Sequence, residues 1–401
     1  MNSKLIGGVL LMVGCTIGAG ILGLPVATAE LGFAGSVALL VAGWLVITIC
    51  AFLVLEVTMW LPEGTNLISM AGATLGKWGQ AFTWIIYLVL LYSFICAYIA
   101  GGGDLFHYLL QVAGFTVSLQ VSTLLFTVLF GFIVYLGMRT VDYTNRALMF
   151  VKLSAFLALV FSALPFVSAI HLNNHATTHF VTPSSMMVTA AAFGSLMIIP
   201  SLRTYFNGDI KSLRKAIVIG FLISLFCYIA WDMVIMGVIP WGGALGLEQL
   251  THSQTTNSDI LKALDMVLHK PLVMMFAQCF TSICMTTSFL SISLCLTDFL
   301  SDGLRMPKRG VNNLMIHGVA FIPPVLIVLF YPGGFMRALE YAGICIVVLM
   351  ILMPPLMVWR GRYHCKFTEE CHQGRAAYNK VFLVTMIVFA MMMLGLGLKS
   401  A

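Results

Sequence analysis

Gly14-Cys15-Thr16-Ile17-Gly18-Ala19-Gly20-Ile21 stands near the middle of the first long apolar run of this 401-residue chain. Each glycine costs a helix interior roughly 1 kcal/mol relative to alanine. In lipid, backbone that leaves the helix is tolerated only where protein or a water-filled cavity surrounds it. A break here would present the N–H groups of a half-helix start, which suit a carboxylate. The competing reading is close packing, which small residues spaced like Gly14 and Gly18 routinely serve. A second stretch favours the break. Ala190-Ala191-Ala192-Phe193-Gly194-Ser195, followed by Pro200-Ser201, interrupts another apolar run five runs later. Paired interrupted helices in corresponding halves are the sequence sign of an inverted-repeat transporter with its site near the midplane.

Composition supports this. The chain is 60% hydrophobic and 9% charged, with a mean hydropathy of +1.00; a soluble fold of this size could not cover its surface with so few charges. A polytopic membrane protein is implied. Soluble enzymes, nucleic-acid binders, disordered chains and disulfide scaffolds are excluded. The net charge of +6 lies in short loops and is no nucleic-acid signal.

Apolar runs long enough to cross a bilayer fall near 5–28, 34–60, 81–110, 119–137, 147–168, 186–205, 216–240, 271–300, 311–331, 335–359 and 381–398. Pro and Gly mark many of their boundaries, as at Pro62, Pro183, Pro240, Pro271 and Pro332-Gly333-Gly334. An eleven-helix, all-α chain with its N-terminus in the cytoplasm places all basic residues on the inner side except Lys262, Lys270, Arg337 and Lys399, as the positive-inside rule requires. The C-terminus is then outside. Residues 1–168 and 186–359 form two five-helix repeats of opposite orientation, and 381–398 an appended helix. Lys4, an apolar run and Ala27-Thr28-Ala29 imitate a cleavable secretory signal. The run is long for one, and its removal would reverse every later loop. Eight of the ten cysteines fall in these runs, and Cys365 and Cys371 in a cytoplasmic loop, so no disulfide framework is indicated.

The chain resembles the hydroxy and aromatic amino acid permeases, bacterial tyrosine-specific permeases above all, over essentially its whole length. The resemblance rests on the order and spacing of several stretches: Gly18-Ala19-Gly20-Ile21-Leu22-Gly23-Leu24-Pro25, Leu55-Glu56-Val57, Ala97-Tyr98-Ile99-Ala100-Gly101-Gly102-Gly103-Asp104, and Pro200-Ser201 with Tyr205. Further along come Thr287-Ser288-Phe289-Leu290 with Asp298, Leu300 and Asp302, then Tyr331-Pro332-Gly333-Gly334-Phe335 and Tyr341-Ala342-Gly343. It implies a leucine-transporter-like fold, eleven helices, a bacterial inner-membrane location, and uptake of an aromatic amino acid with a proton. After Phe193-Gly194 relatives can carry an aromatic-His-Gly stretch. This chain has Ser195-Leu196-Met197-Ile198-Ile199, which leaves the choice between tyrosine and tryptophan open.

Charges inside the membrane each need a reason, costing at least roughly 2.5–3.5 kcal/mol at a helix centre. In proton-coupled relatives of this superfamily a fifth-helix lysine fills the place where sodium-coupled members hold their cation. Lys152 corresponds to it, and the competing reading has it snorkelling to the cytoplasmic surface. Glu56 and Asp298 are candidates for an inner gate, pairing with Lys152, Arg146 or Arg203, or else are solvated helix ends. Arg337 and Glu340 sit three apart, as a local ion pair would. Asp232 is a candidate second protonation site.

For the substrate, the carboxylate is expected at the amides of Thr16, Ile17, Gly18, Ala19 and Gly20, and the ring near Phe193 and Gly194, with Tyr92 and Cys96 lining the pocket. Thr286-Thr287-Ser288 would serve sodium if Lys152 does not fill that place. The series His171, His175 and His179, and His364-Cys365 with Cys371-His372, use ligands that suit zinc or copper but lack a standard zinc spacing. No P-loop is present, and no cofactor is expected. The reading is a permease, not an enzyme, with an aromatic amino acid and a proton as partners. Sodium coupling, or a non-transporting amino-acid sensor, are the alternatives. A sensor would carry a further signalling domain, and a membrane enzyme would gather catalytic groups at one depth. Here Glu56, Asp104, Lys152 and Asp232 are split between the two halves.

Overall fold

The computed structural model describes residues 3–173, 181–243, 245–251, 253, 256–331, 334–365 and 379–400. Among these, all regular structure is helical. In chain order the helices are α1 (Ser3–Thr16), α2 (Gly20–Thr28), α3 (Gly32–Trp60), α4 (Leu67–Val112), α5 (Leu119–Tyr135), α6 (Met138–Ala163), α7 (Ala169–Asn173), α8 (Pro183–Ala192) and α9 (Ile199–Tyr205). They continue with α10 (Ile210–Val238), α11 (Leu247–Thr251), α12 (Thr256–Leu268), α13 (Pro271–Leu304), α14 (Gly310–Phe330), α15 (Phe335–Ile346), α16 (Met353–Tyr363) and α17 (Lys380–Ser400).

Nine helical stretches among the described residues are long and apolar enough to cross a membrane, and 4–16 and 119–135 are shorter apolar helices. Exposed Phe132, Phe150, Phe161, Phe226, Phe330 and Met392 give the bundle an apolar exterior, the surface a helix bundle turns to lipid.

Several helices differ from the sequence expectation for local reasons. α4 begins at Leu67, well before residue 81, because Asn66 accepts a hydrogen bond from the Ser69 N–H at 2.9 Å and caps the helix. It then kinks at Gly76, whose φ of +81° favours glycine. Between α15 and α16 the chain makes a wide π-helical turn over Val347–Leu352, just ahead of Pro354-Pro355. Those prolines offer no N–H to a regular ladder. The short helices α11 and α12, which the run-counting passed over, pack against α2 and α10.

The two expected interruptions are present. α1 stops at Thr16 and α2 restarts at Gly20; α8 stops at Ala192, and after a 3-10 turn over Leu196–Ile198 α9 begins at Ile199. α2 lies against α8 so closely that a Cβ on Gly20 would sit 3.0 Å from the Ala192 Cα. Any side chain at residue 20 would push the two half-helices apart. α6 packs on α13, and α4 on both α13 and α15, which frames the breaks with intact helices.

One end of the bundle is cross-linked by arginines. The fully buried Glu56 carboxylate of α3 receives two parallel bonds from Arg362 of α16, Nε to Oε1 at 2.6 Å and Nη2 to Oε2 at 2.5 Å. Arg203 of α9 donates to the carbonyls of Thr58 and Leu61 (the latter at 2.8 Å), capping the C-terminus of α3. Lys308 bonds Asp298 at 2.6 Å on an exposed surface. Glu56 and Asp298 therefore have ion-pair partners other than the Lys152, Arg146 and Arg203 considered from sequence, and Arg146 pairs locally with Asp142. At the opposite, far end, Asp104 of α4 accepts from both the backbone N–H (2.8 Å) and the hydroxyl (2.6 Å) of Ser258, fastening the first turn of α12. Among the described residues Arg337 and Glu340 form no ion pair with each other; Glu340 accepts from the Ser184 hydroxyl instead.

Candidate functional site

The first break leaves the carbonyls of Thr16 and Ile17 and the N–H of Ala19 outside the α-helical ladder, and other helices supply partners for each. The Lys152 Nζ of α6 donates to the Ile17 carbonyl at 2.8 Å. Lys152 is only 1% exposed, so it is held inside the bundle and does not snorkel to the surface. Among the described residues no carboxylate forms an ion pair with it, and its neighbours include the Cys15 and Cys284 thiols. The Ser288 hydroxyl of α13 accepts from the Ala19 N–H at 2.8 Å, and the buried Tyr98 of α4 pairs with Ser288. The Tyr228 hydroxyl of α10 lies 2.7 Å from the Thr16 carbonyl oxygen and 2.6 Å from that of Ala192. It thus bridges the ends of α1 and α8 with one hydrogen.

A direct side-chain tie joins the two breaks. The hydroxyls of Thr16 and Ser195 are 2.7 Å apart, and Thr16 already donates to the Met12 carbonyl at 2.8 Å. Ser195 is therefore the donor. All these groups are buried. The second break is otherwise held by its own turn bonds, Gly194 N–H to the Ala191 carbonyl at 3.2 Å and Ser195 N–H to the Phe193 carbonyl at 2.7 Å.

The sequence candidates divide accordingly. Thr16, Ile17, Gly18, Ala19, Lys152 and Ser195 come together at the breaks, Gly20 abuts Ala192, and Gly194 lies against Ile346. Two aromatic candidates point elsewhere. The Phe193 ring stands edge-on to Tyr228, 5.0 Å between centroids, and close to Gly43 of α3. Tyr92 donates to the Val319 carbonyl of α14 at 2.7 Å. Cys96 is buried one turn beyond it. Tyr228 carried no sequence signal, since a tyrosine in an apolar run reads as packing. Tyr98 was visible only within a longer motif.

A cleft of about 480 Å³ leads in from the arginine-linked end. It is lined by Asn66 and Tyr87 of the α3–α4 region, Met197, Ser201 and Thr204 of the second broken helix, and Cys295 and Asp298 of α13. It reaches Met197, two residues past Ser195. The Thr287 hydroxyl returns to its own helix, at the Ile283 carbonyl, 2.8 Å away, as membrane hydroxyls commonly do. Among the described residues no three metal-ligating side chains converge. The His171 ring contacts the Gly237 carbonyl at 3.1 Å, while His175, His179, Cys371 and His372 lie outside the described residues.

Two broken helices tied back to back among intact ones, with a cleft running toward them, are the architecture of a membrane transporter. The fold agrees: a manganese transporter from Eremococcus coleocola superposes with a TM-score of 0.63, covering 99% of this chain and 85% of that one at 14% identity. Residues 1–397 match the model of the tryptophan/tyrosine permease family, and the chain belongs to that family. Tyrosine-specific transport system 1 of Haemophilus influenzae is 32% identical over 90% of this chain and 89% of its own length. Glutamine transporter 2 of Aliivibrio fischeri is 28% identical over 98% and 99%.

Proposed function

We propose that this chain imports an aromatic amino acid, tyrosine foremost, by proton symport with alternating access, across the inner membrane of a bacterium. The observation that carries the coupling is the Lys152 ammonium on the Ile17 carbonyl. A buried cation without a counter-ion is costly, so gain and loss of its proton can shift the packing of α6 on the first break. The same geometry argues against sodium in this place, because Lys152 occupies the carbonyl and Ser288 already accepts from Ala19.

In this reading the substrate carboxylate takes the Ala19 N–H from Ser288, and the ammonium is received by the carbonyls of Thr16 and Ala192. The ring extends toward Tyr98, with Phe193 behind the site as support. The cleft is the inward route, closed on the far side by α11 and α12. The chain crosses eleven times, N-terminus inside and C-terminus outside, α1–α2 and α8–α9 each making one broken pass. Residues 1–168 and 186–359 are the two repeats, and 381–398 is the added helix. Tyrosine is favoured by the Haemophilus relatives named as tyrosine-specific. The relative named as a glutamine transporter supports a second reading, a polar side chain in the same cavity.

Uptake of labelled tyrosine into proteoliposomes tests this, with an inward proton gradient, an inward sodium gradient or neither, and with tryptophan, phenylalanine and glutamine as competitors. Proton-driven accumulation, blocked mainly by tyrosine and lost in K152A while exchange persists, is expected. Accumulation with sodium alone, or full proton-driven accumulation in K152A, overturns the coupling. Dominant block by glutamine overturns the substrate, and binding without accumulation restores the sensor.

A further inference from the structure

Asp232 of α10 plays no part in the site above. Its side chain is fully buried, its Oδ1 has no hydrogen-bond partner, and it joins no ion pair among the described residues. Its Oδ2 touches two hydroxyls: Ser36, in the first turns of α3, and Thr28, the last residue of α2, at 3.4 Å. The Thr28 hydrogen is already committed to the Leu24 carbonyl at 2.8 Å. Toward Asp232, Thr28 therefore has only lone pairs, and an ionised carboxylate would set acceptor against acceptor. A hydrogen on Oδ2 resolves the contact, donating to Thr28 while the same oxygen accepts from Ser36.

The surroundings supply no compensating charge. Elements packed on α10 carry Lys4 on α1, Glu30 between α2 and α3, Glu56 on α3, Arg139, Asp142, Tyr143, Arg146 and Lys152 on α6, with Arg146 paired to Asp142, and His171 on α7. Arg203 and Tyr205 lie on α9, and Asp259, Lys262 and Asp265 on α12. On α10 itself are Lys211, Arg214, Lys215 and Tyr228. Of these, His171 faces the Gly237 carbonyl, Lys152 the first break, Arg203 the end of α3, and Lys262 pairs with Asp259. An ionised carboxylate in a dry site without a partner is far costlier than a neutral acid.

We propose that Asp232 is a second proton-binding site, neutral in this conformation, whose bound hydrogen fastens the outer half of the first broken helix to α3 and α10 and so holds the far end closed. Loss of that proton places a charge between α2 and α3, and water must enter to solvate it. The site is independent of the substrate's identity and of whether Lys152 carries the coupled proton.

Infrared spectroscopy of the purified chain in lipid nanodiscs at neutral pH tests this. A neutral carboxyl C=O band is expected, removed in D232N and retained in D104N and K152A. S36A should move the band by deleting the hydrogen bond, which keeps the test alive if D232N does not fold. Absence of the band, its survival in D232N, or its indifference to S36A overturns the assignment. Backbone hydrogen exchange over residues 20–36, corrected for its intrinsic pH dependence, should rise several-fold with pH in the wild type and stay flat in D232N. An equal rise in both overturns the link to closure.

Discussion

The two broken helices lie against each other yet are held in different ways. At the first break the Ile17 carbonyl and the Ala19 N–H take partners from two other helices, Lys152 and Ser288. At the second, Gly194 and Ser195 are folded onto their own turn. What the two share is Tyr228 and the Thr16–Ser195 contact. The difference teaches which one is anchored. The first break is pinned to the helices that frame it. The backbone of the second is held by its own turn, and its lower half α9 is fixed at the arginine end by Arg203. Under the coupling proposed above, the proton acts at the first break, where other helices hold the backbone.

The comparison can be broken most severely at the arginine end. E56A leaves the Arg362 guanidinium buried without its carboxylate, and removing one partner of a buried pair costs about 3–5 kcal/mol. A large fall in the thermal midpoint of the purified protein is expected. E56L/R362M should recover most of it, and a fall unchanged in the double variant would show that the pair is not what binds α3 to α16. Next in size is Y228F, which strips the donor from the Ala192 carbonyl, while the Thr16 carbonyl keeps the Gly18 N–H; an unsatisfied buried group costs about 1–3 kcal/mol. Its loss of stability should be partly recovered by saturating substrate, and equal loss with and without substrate would remove Tyr228 from the site.

Smaller effects sharpen the contrast. S288A and S195A each delete one hydrogen bond, worth about 0.5–1.5 kcal/mol. Because Ser288 serves the pinned break and Ser195 only the tie between breaks, S288A should raise the uptake KM more. The reverse order would make the second break the anchor. Least is D209N, at the cap of α10. Hydrogen bonds from the Ser212 side chain, and from the N–H groups of Ser212 and Lys211, hold the Asp209 carboxyl below its usual range. Its contribution is therefore present above the ordinary aspartate value of about 3.9 and is lost only as pH falls through the lowered one. D209N should flatten that acid limb of the stability curve and leave transport at neutral pH unchanged.

Both breaks were legible in sequence because their cause is local: glycines inside a helix and a proline after one. Lys152 was legible because a charge in an apolar run needs an explanation wherever it points. The partners were not. Arg362 is 306 residues from Glu56, and nothing in either neighbourhood selects it over Arg146 or Arg203. The directions of the Tyr92 and Phe193 rings were not legible for a different reason. A helix that is apolar all round carries no periodicity to say which face meets the cavity, so a ring at the right height can point to α14 or α10. Tyr228 went unnoticed on the same grounds.

The Tyr228 hydroxyl has one hydrogen and faces two carbonyl oxygens at nearly equal distance. The Thr16 carbonyl also takes the Gly18 N–H at 2.9 Å, so the shared hydrogen matters most at the end of α8. An ammonium group arrives with three. In the binding mode proposed above, a primary ammonium would give each carbonyl a donor of its own, whereas a blocked nitrogen would not. Under that proposal the site counts hydrogens on the backbone end of its ligand before it reads the side chain. N-acylated or N-methylated amino acids should be discriminated against in order of the donors they have lost.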